Sequence, residues 1–272
     1  MTEVPPEKRA PGAAGRSIKH RLAASEILVG TVLNMTNPTM VELCCGAGAD
    51  FLFLDFEHGL RDYSEIVGAL IAAELCDTPA LVRLGERSAN LVARMLDAGA
   101  AGLIFPHVRS AQEAQELVSW CRYQPVGIRG SGLARGFLRY QGSEFERRQQ
   151  ANAEVVCIMI VEDMEGARNL PDILKVEGVT GVAIGPGDIS MELGADRWDD
   201  PRVTRVLDDM ATVVRDHGKS AMLRLCLDDA DIPKLVKDGA NLIILNHDAH
   251  LIKAMYTGMI AGIGKAIANT RS

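Results

Sequence analysis

The fold class predicted by this sequence is a (β/α)8 barrel, and three observations carry the prediction. Short apolar runs recur along the chain, amphipathic helical patterns fill the intervals, and no linker divides the chain into two domains. After the start "MTEVPPEKRAPGAAG", residues 1–16 are expected to be a disordered tail and 17–272 a single barrel domain. "SIKHRLAASE" reads as a short helix. The strand-like runs then follow in order: "ILVGTVL" (27–33), "FLFLDF" (51–56), "ALVRL" (80–84), "GLIFPHV" (102–108), "VVCIMIV" (155–161), "GVAIG" (181–185), "SAMLRL" (220–225) and "NLIILN" (241–246). Consecutive apolar residues such as Phe51, Leu52, Phe53 and Leu54 mark strands covered on both faces, as in a parallel sheet.

Helical patterns lie between them: "SEIVGALIAAEL", "SANLVARMLDAG", "SAQEAQELVSWC", "ARNLPDILKV", "RVTRVLDDMATVVRDHG" and "ADIPKLVKDG". Several end at a glycine suited to a helix C-cap. A doubly wound open sheet is the alternative, because sequence gives the number of strands more readily than their closure. One irregular stretch, "RYQPVGIRGSGLARGFLRYQGSEFERRQQ" (122–150), separates the fourth run from the fifth. Loops of that length in compact barrels commonly serve the active site or a subunit contact.

Composition narrows the function. A net charge of -7, with no basic block, disfavours nucleic acid as a partner. No apolar run approaches the roughly 20 residues that span a bilayer, and Pro and charge stand where a signal peptide has its apolar core. The six cysteines form no CxxC pair, which fits a reducing, cytoplasmic compartment.

In such a barrel the chemistry sits at the C-terminal ends of the strands, and five runs carry polar groups there. The second ends in Asp55, Glu57 and His58; the third carries Arg83; Pro106 and His107 lie at the end of the fourth; the fifth meets Glu162 and Asp163; the sixth runs into "GPGD" with Asp188. Any one of these charges alone reads as a solvated loop residue or a helix cap. Glu162 and Asp188 follow neighbouring strands, which lie about 5 Å apart, so the two carboxylates can share one hard divalent cation such as Mg²⁺ or Mn²⁺. No lysine lies at the C-terminal end of a run, which disfavours a Schiff-base mechanism, and no GxSxG, P-loop or HExxH motif is present. His247 and His250 read as polar or helix-terminal histidines rather than a second metal site.

The motifs "DFEHG", "LVRL", "LDAGAAGLIFPHV", "GIRGSGLAR", "VEDMEGARNL" and "VEGVTGVAIGPGDISMELG" together resemble the HpcH/HpaI aldolase family, from about residue 17 to residue 255. These are metal-dependent class II aldolases of 4-hydroxy-2-oxo acids, related to citrate lyase β chains and built on a barrel of the phosphoenolpyruvate/pyruvate type. The resemblance implies Glu162 and Asp188 as ligands of Mg²⁺ or Mn²⁺, with Co²⁺ as a further option, and Arg83 on the keto oxygen of pyruvate. It also implies His58 with Asp55 as an acid/base dyad, Asp97 as an acidic residue supplied near the aldehyde site at a subunit contact, and the backbone of Gly185, Pro186, Gly187 and Asp188 as the carboxylate cradle. His107 is a further candidate for touching substrate. The expected partners are a small 2-oxo acid, an aldehyde and other copies of the chain, in a hexamer built as a trimer of dimers with the C-terminal helix packed on a neighbour. A citryl- or malyl-thioester lyase of the same superfamily, or a barrel that binds a 2-oxo acid without turnover, are the alternatives. Two departures from the family pattern stand out: Ile160 occupies a position commonly held by Gln, and "SAMLRLCLDD" is bulky where many members have small residues.

Overall fold

The computed structural model describes residues 17–58, 62–132, 134–218 and 221–271. The predicted tail of residues 1–16 lies outside them. In chain order, α1 (Ile18–Ala23) leads into β1 (Leu28–Leu33), followed by α2 (Pro38–Gly46), β2 (Phe51–Asp55), α3 (Tyr63–Leu75), β3 (Ala80–Arg83), α4 (Ala89–Ala98) and β4 (Gly102–Phe105). Next come α5 (Ala111–Cys121), α6 (Arg135–Leu138), α7 (Glu144–Glu154), β5 (Val156–Val161), α8 (Met164–Lys175) and β6 (Gly181–Ile184). The chain continues through α9 (Pro186–Glu192), α10 (Pro201–His217), β7 (Ala221–Cys226), α11 (Ile232–Asp238), β8 (Leu242–Leu245) and α12 (Asp248–Arg271).

All eight predicted runs form strands, and the sheet closes. β1 pairs in parallel with β2, Gly30 opposite Phe51, and also with β8, Leu28 opposite Leu242. Closure excludes the doubly wound alternative. The fourth run is shorter than predicted: β4 stops at Phe105 because Pro106 has no N–H to donate and His107 turns the chain with φ 56°. The stretch read as irregular holds α6 and α7. Ser143 and Glu146 form a reciprocal capping box that starts α7, satisfying amide groups a helix end would otherwise leave unpaired.

Alternation along the strands divides the core into two layers. Leu28, Val32, Phe51, Phe53, Leu81, Ile104, Ile158, Ile160, Leu223 and Ile244 fill the barrel lumen. Their neighbours Leu33, Leu52, Leu54, Val82, Leu103, Met159, Val161, Val182 and Ile243 pack outward against the helices. The lumen is tightly filled at its N-terminal end: a Cβ on Gly30 would come 2.7 Å from the Phe51 ring. Ile18 of α1 joins this layer from below, and Arg21 holds α1 in place by bonding Asp50 at 2.8 Å in a buried ion pair.

The helix ends follow the sequence signals. α4 and α10 stop at Gly99 (φ 110°) and Gly218 (φ 72°), where a left-handed backbone suits glycine. α12 has 24 residues and, although Lys253 and Lys265 interrupt its apolar sequence, it is long and apolar enough to cross a membrane by length and composition alone. Its apolar residues are spread along a stripe, Leu251, Met255, Met259, Ile263 and Ile267, all exposed in the single chain.

Candidate active site

Strand parity determines which side chains reach the barrel mouth. Val32 faces the lumen on β1, so Asn34 follows on the same side; Phe51 and Phe53 face it on β2, so Asp55 does too; Leu81 places Arg83 and Ile160 places Glu162 in the same way. Asp55 and Arg83 are direct partners in the β2–β3 register. Arg83 grips the Asp55 carboxylate with two parallel hydrogen bonds, Nε to Oδ1 at 3.0 Å and Nη2 to Oδ2 at 2.7 Å. The backbone N–H groups of Glu57 and His58 also donate to Oδ1, which folds the segment after β2 over the carboxylate. Burial pushes the Asp55 carboxyl up, but the Arg83 bonds and charge and these amides outweigh it and hold the group below the usual carboxylate range.

Glu57, two residues beyond the end of β2, lies at the centre of the mouth. Its carboxylate is 3.2 Å from Arg83 Nε, 3.5 Å from His58 Nε2 and 3.5 Å from His107 Nε2. The His58 imidazole is 69% exposed, whereas Arg83 and Glu57 are nearly enclosed. His107 connects this group to the next. Both its backbone N–H and its Nδ1 lie 2.8 Å from Glu162 Oε1, and Arg87 donates to the carbonyls of Pro106 and His107. These contacts hold His107 in a backbone region that non-glycine residues seldom occupy.

Ligand atoms of His107, Glu162 and Asp188 lie within 4.8 Å of one another. Asp188 is in the first turn of α9, whose N-cap is Gly185, so it is not itself the cap. Asp163 is committed elsewhere: it caps α8 and binds Arg109 at 2.5 Å. Burial raises the Glu162 carboxyl above its usual value; the His107 contacts oppose this, and the Asp188 and Glu57 charges add to it. Carboxylates pressed together beside an imidazole form a donor set suited to a hard divalent cation, which would relieve that repulsion.

The cluster borders a cavity of about 120 Å³ lined by Val32, Phe53, Ile160, Ala183, Leu223, Leu225 and Ile244, with Arg83, Glu162, Gly185, Pro186 and His247 at its polar points. Ile160 thus presents an aliphatic surface directly to this space. Arg224, by contrast, points away from the lumen, toward the charges of Asp208 and Asp238. A larger cavity of about 410 Å³ lies at the opposite end of the barrel, among Ser17, Glu74, Arg139 and Tyr140, away from this chemistry.

Asp97 is not brought to the mouth by its own chain. It lies near the C-terminus of α4, at the other end of the barrel, where Arg129 binds it at 2.6 Å. Two residues missed from sequence belong to the mouth instead. Asn34 donates to Asp55 Oδ2 at 3.0 Å, and its Oδ1 lies 2.5 Å from His247 Nδ1. His247 is therefore a half-buried residue of the cavity wall and not a surface histidine. The signal for Asn34 was its parity with Val32, two residues earlier on β1.

The model of the HpcH/HpaI aldolase/citrate lyase family matches residues 29–254. Among related proteins, the hydroxypyruvate/pyruvate aldolase of Roseovarius nubinhibens is 33% identical over 88% of this chain and 93% of its own length. The 2-keto-3-deoxy-L-rhamnonate aldolase of Klebsiella pneumoniae is 33% identical, covering 86% of this chain and 87% of its own. The crystal structure of an HpcH/HpaI aldolase from Desulfitobacterium hafniense superposes with a TM-score of 0.86 at 28% identity, over 91% of this chain and 96% of that one. With a family match across most of the barrel and these identities, the chain belongs to the HpcH/HpaI aldolase/citrate lyase family.

Proposed function

We propose that this aldehyde-lyase is a metal-dependent class II aldolase that cleaves a 4-hydroxy-2-oxo acid to pyruvate and an aldehyde, or joins the two. The observation that carries the reading is the meeting of Glu162, Asp188 and His107 within 4.8 Å, beside Arg83, at the barrel mouth. Glu162 and Asp188 are the proposed metal ligands, for Mg²⁺ or Mn²⁺ and with Co²⁺ as a third option. A divalent cation bound there supplies Lewis-acid stabilisation of the negative charge that develops on the keto oxygen.

Arg83 directs a fixed positive charge at the same oxygen. Its Nε and Nη2 are held by Asp55, and Nη1 is the guanidinium nitrogen without a protein partner among the described residues. The backbone from Gly185 to Asp188, at the start of α9, is proposed to hold the carboxylate of the keto acid, with His107 alongside. His58 is the proposed general base for the C4 hydroxyl proton, its exposed imidazole standing at the mouth 3.5 Å from the Glu57 carboxylate. Asp55 positions it through the turn that its carboxylate organises.

The apolar stripe of α12 supports a homo-oligomer in which this helix packs on a neighbour, and a hexamer built as a trimer of dimers is the proposed assembly. Asp97 would then serve the mouth of another copy. The free cysteines fit a cytoplasmic location. The thioester-lyase and non-catalytic readings are not favoured, because the relatives are named aldolases. The test is to incubate the purified protein with pyruvate and Mg²⁺ or Mn²⁺ in D₂O and follow deuteration of the methyl group. Exchange is expected with metal and not after chelation; absence of exchange with every divalent metal tried rules the reading out.

A further inference from the structure

Among the described residues, three polar side chains line the mouth cavity. Two of them, Arg83 and Glu162, belong to the cluster assigned to the keto acid, and the third is His247. It follows β8, three strands round the barrel from the β5 end that carries Glu162, in a wall otherwise made of Val32, Leu223, Leu225 and Ile244.

The hydrogen bonds around His247 settle its tautomer. The Asp55 carboxylate, kept ionised by Arg83, can only accept, so the Asn34 atom facing it must be the amide nitrogen. The Asn34 oxygen therefore faces His247, and Nδ1 of His247 must carry the hydrogen of that contact. A neutral imidazole with hydrogen on Nδ1 has its lone pair on Nε2. Burial lowers the His247 pKa, which favours the neutral ring. The result is an oriented acceptor on an aliphatic wall, held by the same Asp55 that organises Arg83.

We propose that His247 is a specificity-determining residue whose Nε2 accepts a hydrogen bond from a hydroxyl on the carbon next to the aldehyde carbonyl. The substrate class is then a short, neutral α-hydroxyaldehyde, in preference to a deoxy or carboxylated one. This rests on the aldolase reading above, which leaves the wall opposite the keto acid for the aldehyde half. A compact aliphatic surface accommodates a short carbon chain. The neutral acceptor satisfies one hydroxyl and offers no charge to a second carboxylate.

Glycolaldehyde and propionaldehyde have the same heavy-atom skeleton and differ by hydroxyl against methyl, so the ratio of their kcat/KM values in condensation with pyruvate reads this contact. Glyoxylate serves as the carboxylated probe. The wild-type enzyme is expected to favour glycolaldehyde over propionaldehyde by about tenfold, and over glyoxylate as well. His247→Leu is expected to bring the glycolaldehyde to propionaldehyde ratio near one, and His247→Gln, which keeps an acceptor, to retain part of it. A wild-type ratio near one, a preference for glyoxylate, or an unchanged ratio in His247→Leu overturns the inference while leaving the aldolase reading intact. Absence of condensation with any aldehyde, together with absence of methyl exchange, overturns both. The wild-type ratio and the Gln variant decide the matter even if the Leu variant fails to fold.

Discussion

Asp55 accepts hydrogen bonds from Arg83, Asn34 and two backbone amides while fully shielded from solvent, so it holds together the whole acidic and basic mouth. Asp55→Ala leaves Arg83 without its main partner and is expected to destabilise the fold by about 3–5 kcal/mol, measured by urea denaturation. The carboxyl titrates lower in the folded chain than the unfolded value of about 3.9, so its stabilisation is complete above that pH and is lost as the pH falls through the folded value. Denaturation midpoints followed from pH 6 down to pH 2.5 are expected to fall less steeply in Asp55→Asn than in the wild type. Glu162→Gln removes one of the two proposed carboxylate ligands, and kcat/KM is expected to drop by about 10³-fold together with Mn²⁺ binding followed by EPR. Asp55, Arg83, Glu162 and Asp188 were legible in the sequence because each ends a strand or opens the loop after one. Asn34 and His247 were not legible as site residues, and Glu57 was legible as a polar group at a strand end but not in its direction. Glu57 and His247 lie beyond the end of a strand, where parity no longer fixes a direction, and Asn34 is an uncharged residue that draws attention only once Asp55 is seen to need a donor.

The predicted and observed elements differ mainly where one residue controls the backbone. Pro106 ended a strand that hydropathy alone would have extended, and Ser143 with Glu146 began a helix inside a stretch whose glycines and arginines suggested a loop. Ser143→Ala is expected to cost about 1 kcal/mol, seen as a lower thermal midpoint with little change in KM, because α7 lies on the outer shell away from the mouth. The β5 element connects this scale to substrate choice. Its inward residues Val156, Ile158 and Ile160 are uniformly aliphatic up to Glu162, so position 160, where the family resemblance leads one to expect Gln, is here part of the cavity wall. The strand itself was plain from sequence, whereas the effect of Ile160 emerged only when the register turned it inward.

For the whole molecule, the number of strands was readable and closure was not, since closure depends on β1 pairing with β8 more than 200 residues away. The bare α12 helix belongs to this scale as well. Ile263→Glu places a charge in the middle of its apolar stripe and is expected to shift the proposed homo-oligomer to smaller species in analytical ultracentrifugation; an unchanged sedimentation profile overturns α12 as the proposed contact. The packed floor of the lumen, closed by Ile18, Leu28, Phe51 and Leu242, has a kinetic consequence. A barrel open at one end is a blind well, so the two fragments of a cleaved substrate must leave through the same opening, one after the other. The fragment anchored at the Glu162 cluster is expected to depart last. Product-inhibition patterns would then be unequal: pyruvate competes with the intact substrate for the emptied well, and the aldehyde does not.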